Sequence, residues 1–186
     1  MKRPPTFGLI FSILFLSACG KQGETVEVKK PTEDFEVRVD RFADLEILRY
    51  QVPQFEQLSL RQKKLVYFLS QAALSGRDIL YDQNYKYNLI IRQTIHTIVE
   101  NYKGDRSTES WEQFMIYAKR VWFSNGIHHH YSTLKIIPEF KKSYLSKLIN
   151  NTDGEFALKD GEKTGEFIEW LTPTLFDSDI DRKRVN

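Results

Sequence analysis

Three consecutive histidines are the residues of this chain best suited to bind a metal. His128, His129 and His130 lie in the stretch VWFSNGIHHHY, and the chain contains four histidines in all, the fourth being His96. A protein zinc site needs three or four ligands, among which imidazole nitrogens are common. Neighbouring side chains of an extended segment alternate in direction, so we expect only His128 and His130 to share a face. The loop therefore offers two ligands, and a third would have to come from an Asp, a Glu or His96.

The residues before the histidines favour a different interpretation. Asn125 and Gly126 follow a long helical pattern, and Asn or Gly in the left-handed conformation commonly ends a helix. The histidines then lie in a polar loop at the end of a rigid helix, a frequent position for binding groups. We expect this loop to bond to neighbouring backbone or to line a cleft, with Asn125, His128, His129 and His130 as candidate substrate contacts, rather than to hold a metal.

Motifs for other chemistries do not occur in the sequence. It contains no HExxH zinc motif, no GxSxG nucleophile motif, no phosphate-binding P-loop and no GxGxxG dinucleotide motif. Its 27 basic and 25 acidic residues give a net charge of +2 without a basic cluster, which disfavours nucleic acid as a partner. The residues alone therefore assign no catalytic residue, no metal ligand and no cofactor to this chain.

A basic start and a short apolar segment precede the only cysteine of the chain. Lys2 and Arg3 are followed by FGLIFSILFL (7–16), which is shorter than the about 20 residues that span a bilayer. The run closes with LSAC and resembles a bacterial lipobox, in which the cysteine is lipidated after the signal peptide is cleaved. An ordinary signal peptide that contains a cysteine is the alternative. The resemblance predicts a lipid anchor at Cys19, the bilayer as a partner, and a place in the cell envelope, in the outer membrane by analogy with enteric bacteria.

This resemblance divides the chain into three parts. Residues 1–18 are expected to be the signal peptide, 19–34 a flexible polar tether, and 35–186 the folded part. Lipidation of Cys19 would leave the mature chain with no free thiol, and so with no disulfide and no cysteine ligand for zinc. About 150 residues are enough to bury a hydrophobic core, which must then provide the stability.

Apolar residues at helical spacing recur through most of the folded part, and the predicted fold class is mostly α with a small β component. Helices are predicted over 39–50, 59–76, 87–102 and 108–123, with a fifth after Pro138. Ser59 and Gln62 have the spacing of a capping box at the start of the second helix. The buried side of the fourth is expected to contain Trp111, Phe114, Met115, Ala118, Val121 and Trp122.

The pattern changes after Asn150. Turn residues on both sides of EFALK (155–159) favour a short strand there, and the stretch from Leu171 onward has no clear period. We expect Leu171, Leu175 and Phe176 to lack packing partners, as in an incomplete domain.

Four segments together carry a resemblance to a known family. They are the long run from FADLEILRY to NLIIR (42–92), NYKGDRS (101–107), KRVWFSNGIHHHYS (119–132) and PTLFDSDIDRKRVN (173–186). In this order they resemble the N-terminal part of bacterial dipeptidyl peptidase III proteins. The resemblance covers essentially the whole chain after the tether, and several segments in the same order are more specific than any one of them.

The resemblance implies a zinc exopeptidase that removes dipeptides from the N-termini of peptides. The family has a mostly helical lobe that carries zinc and a mixed lobe with a β-barrel core, on either side of a wide cleft. Its zinc motif is a helical HExxGH with a further Glu ligand downstream. This chain has no such motif, so no catalytic or zinc-binding role carries over to any numbered residue.

The expected protein is therefore the helical N-terminal part of a two-lobed zinc exopeptidase, a fragment that is inactive alone. Zinc would belong to the full-length family, and peptides would bind only when the missing lobe is present. A stand-alone, membrane-anchored binding or scaffolding lipoprotein is the alternative.

Overall fold

The fold is mostly helical with one small sheet, which confirms the coarse fold class. A computed structural model of the chain describes residues 35–183. The predicted signal peptide and tether, and with them Cys19, lie outside these residues. Within them the elements are β1 (Arg38–Phe42), β2 (Leu45–Leu48), a short 3-10 helix (Phe55–Gln57), α1 (Leu60–Ser75), α2 (Arg77–Asn84), α3 (Asn88–Asn101), α4 (Glu109–Ser124), α5 (Lys142–Asn150) and α6 (Thr164–Phe176). No helix in the described range is long and apolar enough to span a bilayer.

The hydrophobic core lies between α3, α4, α5 and α6. Each of these helices buries residues three and four positions apart, which is the spacing of one helix face. The buried apolar residues of the four helices are Ile91, Ile95, Ile98, Trp111, Phe114, Tyr117, Ala118, Val121, Tyr144, Leu145, Leu148, Ile149, Phe167, Leu171 and Leu175. Burial of this much apolar surface is the main stabilising contribution to the domain.

The predicted helix starts are mostly confirmed. The side chain of Ser59 accepts a hydrogen bond from the Gln62 backbone, and the Gln62 side chain bonds back to the Ser59 N–H, which completes the capping box. Thr108 caps α4 by accepting a hydrogen bond from Trp111 N at 3.2 Å. The predicted stripe on α4 is also correct in outline, with Met115 and Trp122 partly buried and Tyr117, which the sequence analysis did not select, fully buried.

The helix predicted over 39–50 is wrong, because this stretch forms a β-hairpin. β1 and β2 pair antiparallel, with Phe42 opposite Leu45, and Ala43 takes a positive φ of 50° in the turn. Phe42 is buried, and Asp40 accepts a hydrogen bond from Lys119 Nζ of α4 at 2.7 Å. These contacts to α4 are long-range in sequence, so tertiary packing overrides the local helical pattern.

The strand predicted over 155–159 does not form, and the stretch after it is a helix. Phe167, Leu171 and Leu175 lie four residues apart on the buried face of α6, and Phe176 packs edge-on against Phe140 with ring centroids 5.4 Å apart. The expectation that the apolar residues at 171–176 lack partners is therefore wrong. Pro173 lies inside α6, and because proline lacks the backbone N–H of a helix interior, its presence made this stretch look non-helical in the sequence.

The first helix, α1, has a very different environment. It is helical as predicted, yet it has no buried residue, and Phe68 remains 65% exposed. At 100° per residue, Leu65 and Leu69 lie on one side while Tyr67 and Leu74 lie on the other. A helix that is apolar on more than one side is typical of a buried helix. The exposed apolar surface of α1 is therefore typical of an interaction site.

Candidate functional site

The histidine loop starts where α4 ends. Asn125 adopts the left-handed conformation with φ 52°, and the Gly126 N–H donates to Val121 O at 3.0 Å. This is the helix stop that the sequence predicts, and it turns the chain away from the axis of α4. The position of the loop relative to the core is therefore set by α4, whose inner face is buried.

Asn88, at the start of α3, is hydrogen-bonded to the backbone of this turn. Its Oδ1 accepts a hydrogen bond from Ile127 N at 3.0 Å, and its Nδ2 donates to Asn125 O at 3.5 Å. Asn88 is 1% exposed, and its bond to Ile127 N is buried. A Cβ atom on Gly126 would lie 2.1 Å from Asn88 Nδ2, so only glycine allows this approach. The sequence analysis missed Asn88, although a polar residue on an apolar stripe is a recognisable signal.

The loop continues as a small hairpin. Ile136 N donates to Ile127 O and His129 N donates to Leu134 O, both at 2.8 Å. His128 is opposite Lys135 in this pairing. The histidines therefore belong to an ordered turn fixed by backbone hydrogen bonds.

His128 is buried inside the domain. It is 6% exposed, its Nε2 lies 2.8 Å from Asp181 O, and its ring is edge-on to Tyr85 at 5.4 Å. A carbonyl only accepts, so Nε2 carries the proton and Nδ1 is the unprotonated nitrogen. Nδ1 is buried without a hydrogen-bond partner among the described residues. Burial lowers the pKa of His128 below its ordinary value. The hydrogen bond to the Asp181 carbonyl opposes this shift, and the nearby Lys135 and Lys183 act in the same direction as burial.

His129 and His130 form the exposed part of the loop. Their rings stack with centroids 4.6 Å apart, and His130 also contacts the rings of Tyr131 and Phe123 at 4.2 and 5.2 Å. Burial against these neighbours, and the adjacent His129, lower the pKa of His130. The prediction that His128 and His130 share a face is therefore wrong, because His128 lies in the interior and His130 on the surface.

Residues 177–183, which we call the strap, pack against the histidine loop. Lys135 Nζ donates to Asp177 O and to Ile180 O, each at 2.7 Å, and Lys183 Nζ donates to His129 O at 3.3 Å. Burial lowers the pKa of Lys135. These contacts join the histidine loop to residues about 50 positions away, which no local sequence pattern could indicate.

The strap is also held from α2 and α3. Tyr85, between these helices, donates its hydroxyl to Asp181 Oδ2 at 2.5 Å, and Lys86 Nζ lies 4.0 Å from Asp181 Oδ1. Burial, and the neighbouring carboxylate, raise the pKa of the Tyr85 hydroxyl far above its ordinary value. Asp181 itself has a positive φ of 52°. The strap is therefore tied to the loop through Asp181 backbone and to the helices through its side chain.

These residues do not fit a zinc ion. Nε2 of His128 is bonded to a backbone carbonyl, and the carboxylate of Asp181 already accepts from Tyr85. Among residues 35–183 no group of three or more His, Cys, Asp or Glu side chains is placed to hold a metal. The arrangement can instead offer an exposed imidazole and aromatic surface for stacking and hydrogen bonding.

Comparison with known proteins adds no assignment to this geometry. No known family model matches the chain, and no curated protein matches it. Asn125, His129 and His130 remain candidate contacts at the surface, whereas His128 is buried and is part of the strap contact.

Proposed function

We propose that this chain is the membrane-anchored helical part of a dipeptidyl peptidase III-type zinc exopeptidase, whose catalytic zinc is carried by residues other than those of this sequence. The peptidase family rests on the four resembling segments, and the observation that supports a further protein surface is the exposed apolar surface of α1. Leu60, Leu65, Val66, Tyr67, Phe68, Leu69 and Leu74 are all exposed on this helix. An exposed apolar surface of this kind marks a site of contact with another protein surface.

The contact between the histidine loop and the strap supports the same proposal. The segments 119–132 and 173–186 resemble the family separately, and they are far apart in sequence. In the fold they touch, through His128 with Asp181 and His129 with Lys183. Contact between the two segments is what the proposal expects if both were inherited together from one ancestral domain.

The chain would supply scaffold and substrate contacts, and the part of the protein that bears the zinc motif would supply the chemistry. Zinc bound in an HExxGH motif would activate the water that attacks the peptide. The residues of this chain that lie at the surface of the loop, His129, His130 and Tyr131, would contact the peptide by stacking and hydrogen bonding. None of them would touch the reacting bond.

The proposal predicts that residues 20–186 alone do not release dipeptides from an arylamide substrate, with or without added zinc. Catalysis of this type needs three protein ligands, an open position for water and a carboxylate aimed at that water. Addition of a polypeptide that carries the HExxGH helix should give dipeptide release that a chelator abolishes. Release should fall when Leu65 and Leu69 of α1 are both replaced by Glu, and should persist when exposed Gln71 is replaced by Glu.

Two results would contradict the proposal. Turnover by residues 20–186 alone that disappears on replacing His129 and His130 would make the loop itself an active site. Assembly with the zinc-bearing polypeptide that is indifferent to the α1 substitutions would show that α1 is not the docking surface.

The anchor predicts a separate result. If Cys19 is lipidated, Cys19→Ala should move the protein from the membrane fraction to the soluble fraction, whereas Ser17→Thr, which keeps the cysteine, should not. Mass spectrometry of the N-terminal peptide should find the lipid on Cys19. Retention in the membrane together with an unmodified Cys19 would show that the segment is not a lipoprotein signal.

The second candidate function is a membrane-anchored binding or scaffolding lipoprotein. The same α1 surface favours it, since a separate protein could cover those residues equally well. The two functions differ in the partner. If the polypeptide bound by α1 contains no zinc motif and shows no dipeptide release, the scaffolding function replaces the peptidase.

A further inference from the structure

The strap depends on one buried histidine for its central contact. His128 donates its Nε2 proton to the carbonyl of Asp181 in the strap. The flanking contacts come from lysines, with Lys135 bonded to the carbonyls of Asp177 and Ile180, and Lys183 bonded to the His129 carbonyl. In these contacts the strap contributes three backbone carbonyls, of Asp177, Ile180 and Asp181, and the Lys183 side chain.

The pocket around His128 is built for the neutral ring. A second proton would have to sit on Nδ1, which is buried and has no acceptor among the described residues. The ring faces Tyr85 from the α2–α3 connection, Lys135 from the return of the loop hairpin, and Asp181 and Lys183 from the strap. Two of these neighbours are cations.

The single carboxylate in this group does not offset them. Asp181 accepts the Tyr85 hydroxyl at 2.5 Å and lies 4.0 Å from Lys86, so its charge is already shared. It is the Asp181 carbonyl, not its carboxylate, that meets the imidazole. A charged imidazolium is therefore less stable under the strap than in water.

From this geometry we infer that the strap is a latch released by acid: protonation of His128 detaches residues 177–183 from the histidine loop and opens the surface beneath them. Release places the imidazolium in water, removes it from Lys135 and Lys183, and frees Asp181 from its left-handed conformation. None of residues 177–183 belongs to the buried core, so the core helices keep their packing when the strap opens. This inference does not depend on the dipeptidyl peptidase assignment.

Proton linkage gives the direction in which pH shifts the strap between its closed and open forms. The pKa of His128 is lowered under the strap and returns to an ordinary histidine value of about 6.5 when the strap is open. The open form therefore binds the proton more tightly, so lowering the pH favours opening. The closed latch keeps its full stability above about pH 6.5 and loses it as the pH falls through the lowered value.

Backbone ¹⁵N relaxation on the whole chain in detergent, between pH 7.5 and 5, tests the latch. Amide order parameters of residues 177–183 should fall from the rigid range, about 0.85, to below about 0.6, while those of α3 and α4 stay rigid. His128→Gln keeps a donor near the Nε2 position and does not titrate, so its strap should stay ordered at pH 5. His96→Asn, an exposed histidine that pairs with Glu100, should behave like the wild type.

The imidazole titration itself provides the second measurement. In ¹⁵N spectra of the histidine side chains, the midpoint of His128 should coincide with the midpoint of strap release. A strap that stays rigid at pH 5 in the wild type overturns the inference, as does release at a pH where His128 does not titrate. If the strap of the His128→Gln variant is already mobile at pH 7.5, the variant gives no test. The inference then stands or falls on whether the wild-type midpoints of His128 titration and of strap release coincide.

Discussion

Replacing Phe114 with alanine is expected to lower the free energy of unfolding by about 3–5 kcal/mol. Phe114 is 1% exposed, and it lies at the centre of an aromatic cluster, 5.3 Å from the ring of Trp111 and 5.8 Å from that of Phe140. Truncation removes buried apolar area and leaves a cavity that the rigid helices α3 to α6 cannot fill. Denaturant unfolding followed by tryptophan fluorescence measures the change.

Phe68→Ala on α1 is the matched control. It removes the same atoms from a side chain that is largely exposed, so the free energy of unfolding should change by no more than about 0.5 kcal/mol. Equal losses from the two substitutions would mean that α1 is covered in the isolated chain. A Phe114→Ala unfolding curve that matches the wild type would show that the α4 stripe is not the core.

The parts of the fold that follow from local chemistry are those that the sequence predicts. The capping box at Ser59 and the stop at Asn125 depend on neighbours within four residues. The buried stripe of α3 also follows from spacing alone, because its residues all face one side. The existence and the approximate bounds of α1, α3, α4 and α5 can therefore be predicted from the sequence.

The wrong predictions concern elements that depend on long-range contacts or that contain a residue untypical of their structure. The hairpin at 38–48 is stabilised by Lys119 and Arg120 of α4, which lie 79 and 76 residues from their aspartate partners. In α6, Pro173 obscured a regular spacing of buried residues. The sequence also did not predict which helices are buried, since α1 and α3 have similar apolar content, yet α1 is exposed and α3 is buried.

The candidate site likewise has a part that the sequence predicts and a part that it does not. The turn geometry at residues 125–126 was predictable, and the histidines were correctly placed in a loop after α4. The partners of His128 were not, because Tyr85 precedes it by 43 positions in sequence and Asp181 follows it by 53. Three adjacent histidines look equivalent in sequence, yet only one is buried, since the hairpin pairing directs it inward.

Replacing Gly126 with alanine is expected to destabilise the domain by roughly 2–6 kcal/mol. The φ of 146° is one that residues with a side chain rarely adopt, which costs about 1–3 kcal/mol. The new methyl group would also lie 2.1 Å from Asn88 Nδ2 and displace a buried side chain whose hydrogen bond to Ile127 N is worth about 1–3 kcal/mol when lost. Thermal or denaturant unfolding measures the total.

Two other glycines separate the contributions. Gly161→Ala introduces a methyl at φ 78° with no atom within 4 Å, so it should show the backbone strain without the steric clash. Gly165→Ala, in the first turn of α6 with open space around it, should instead stabilise by up to about 1 kcal/mol through helix propensity. Gly126→Ala should also shift the amide resonances of Asn88 and of the histidine loop. A Gly126→Ala protein no less stable than Gly161→Ala would mean that Asn88 does not hold the turn, and that the loop is positioned by the strap alone.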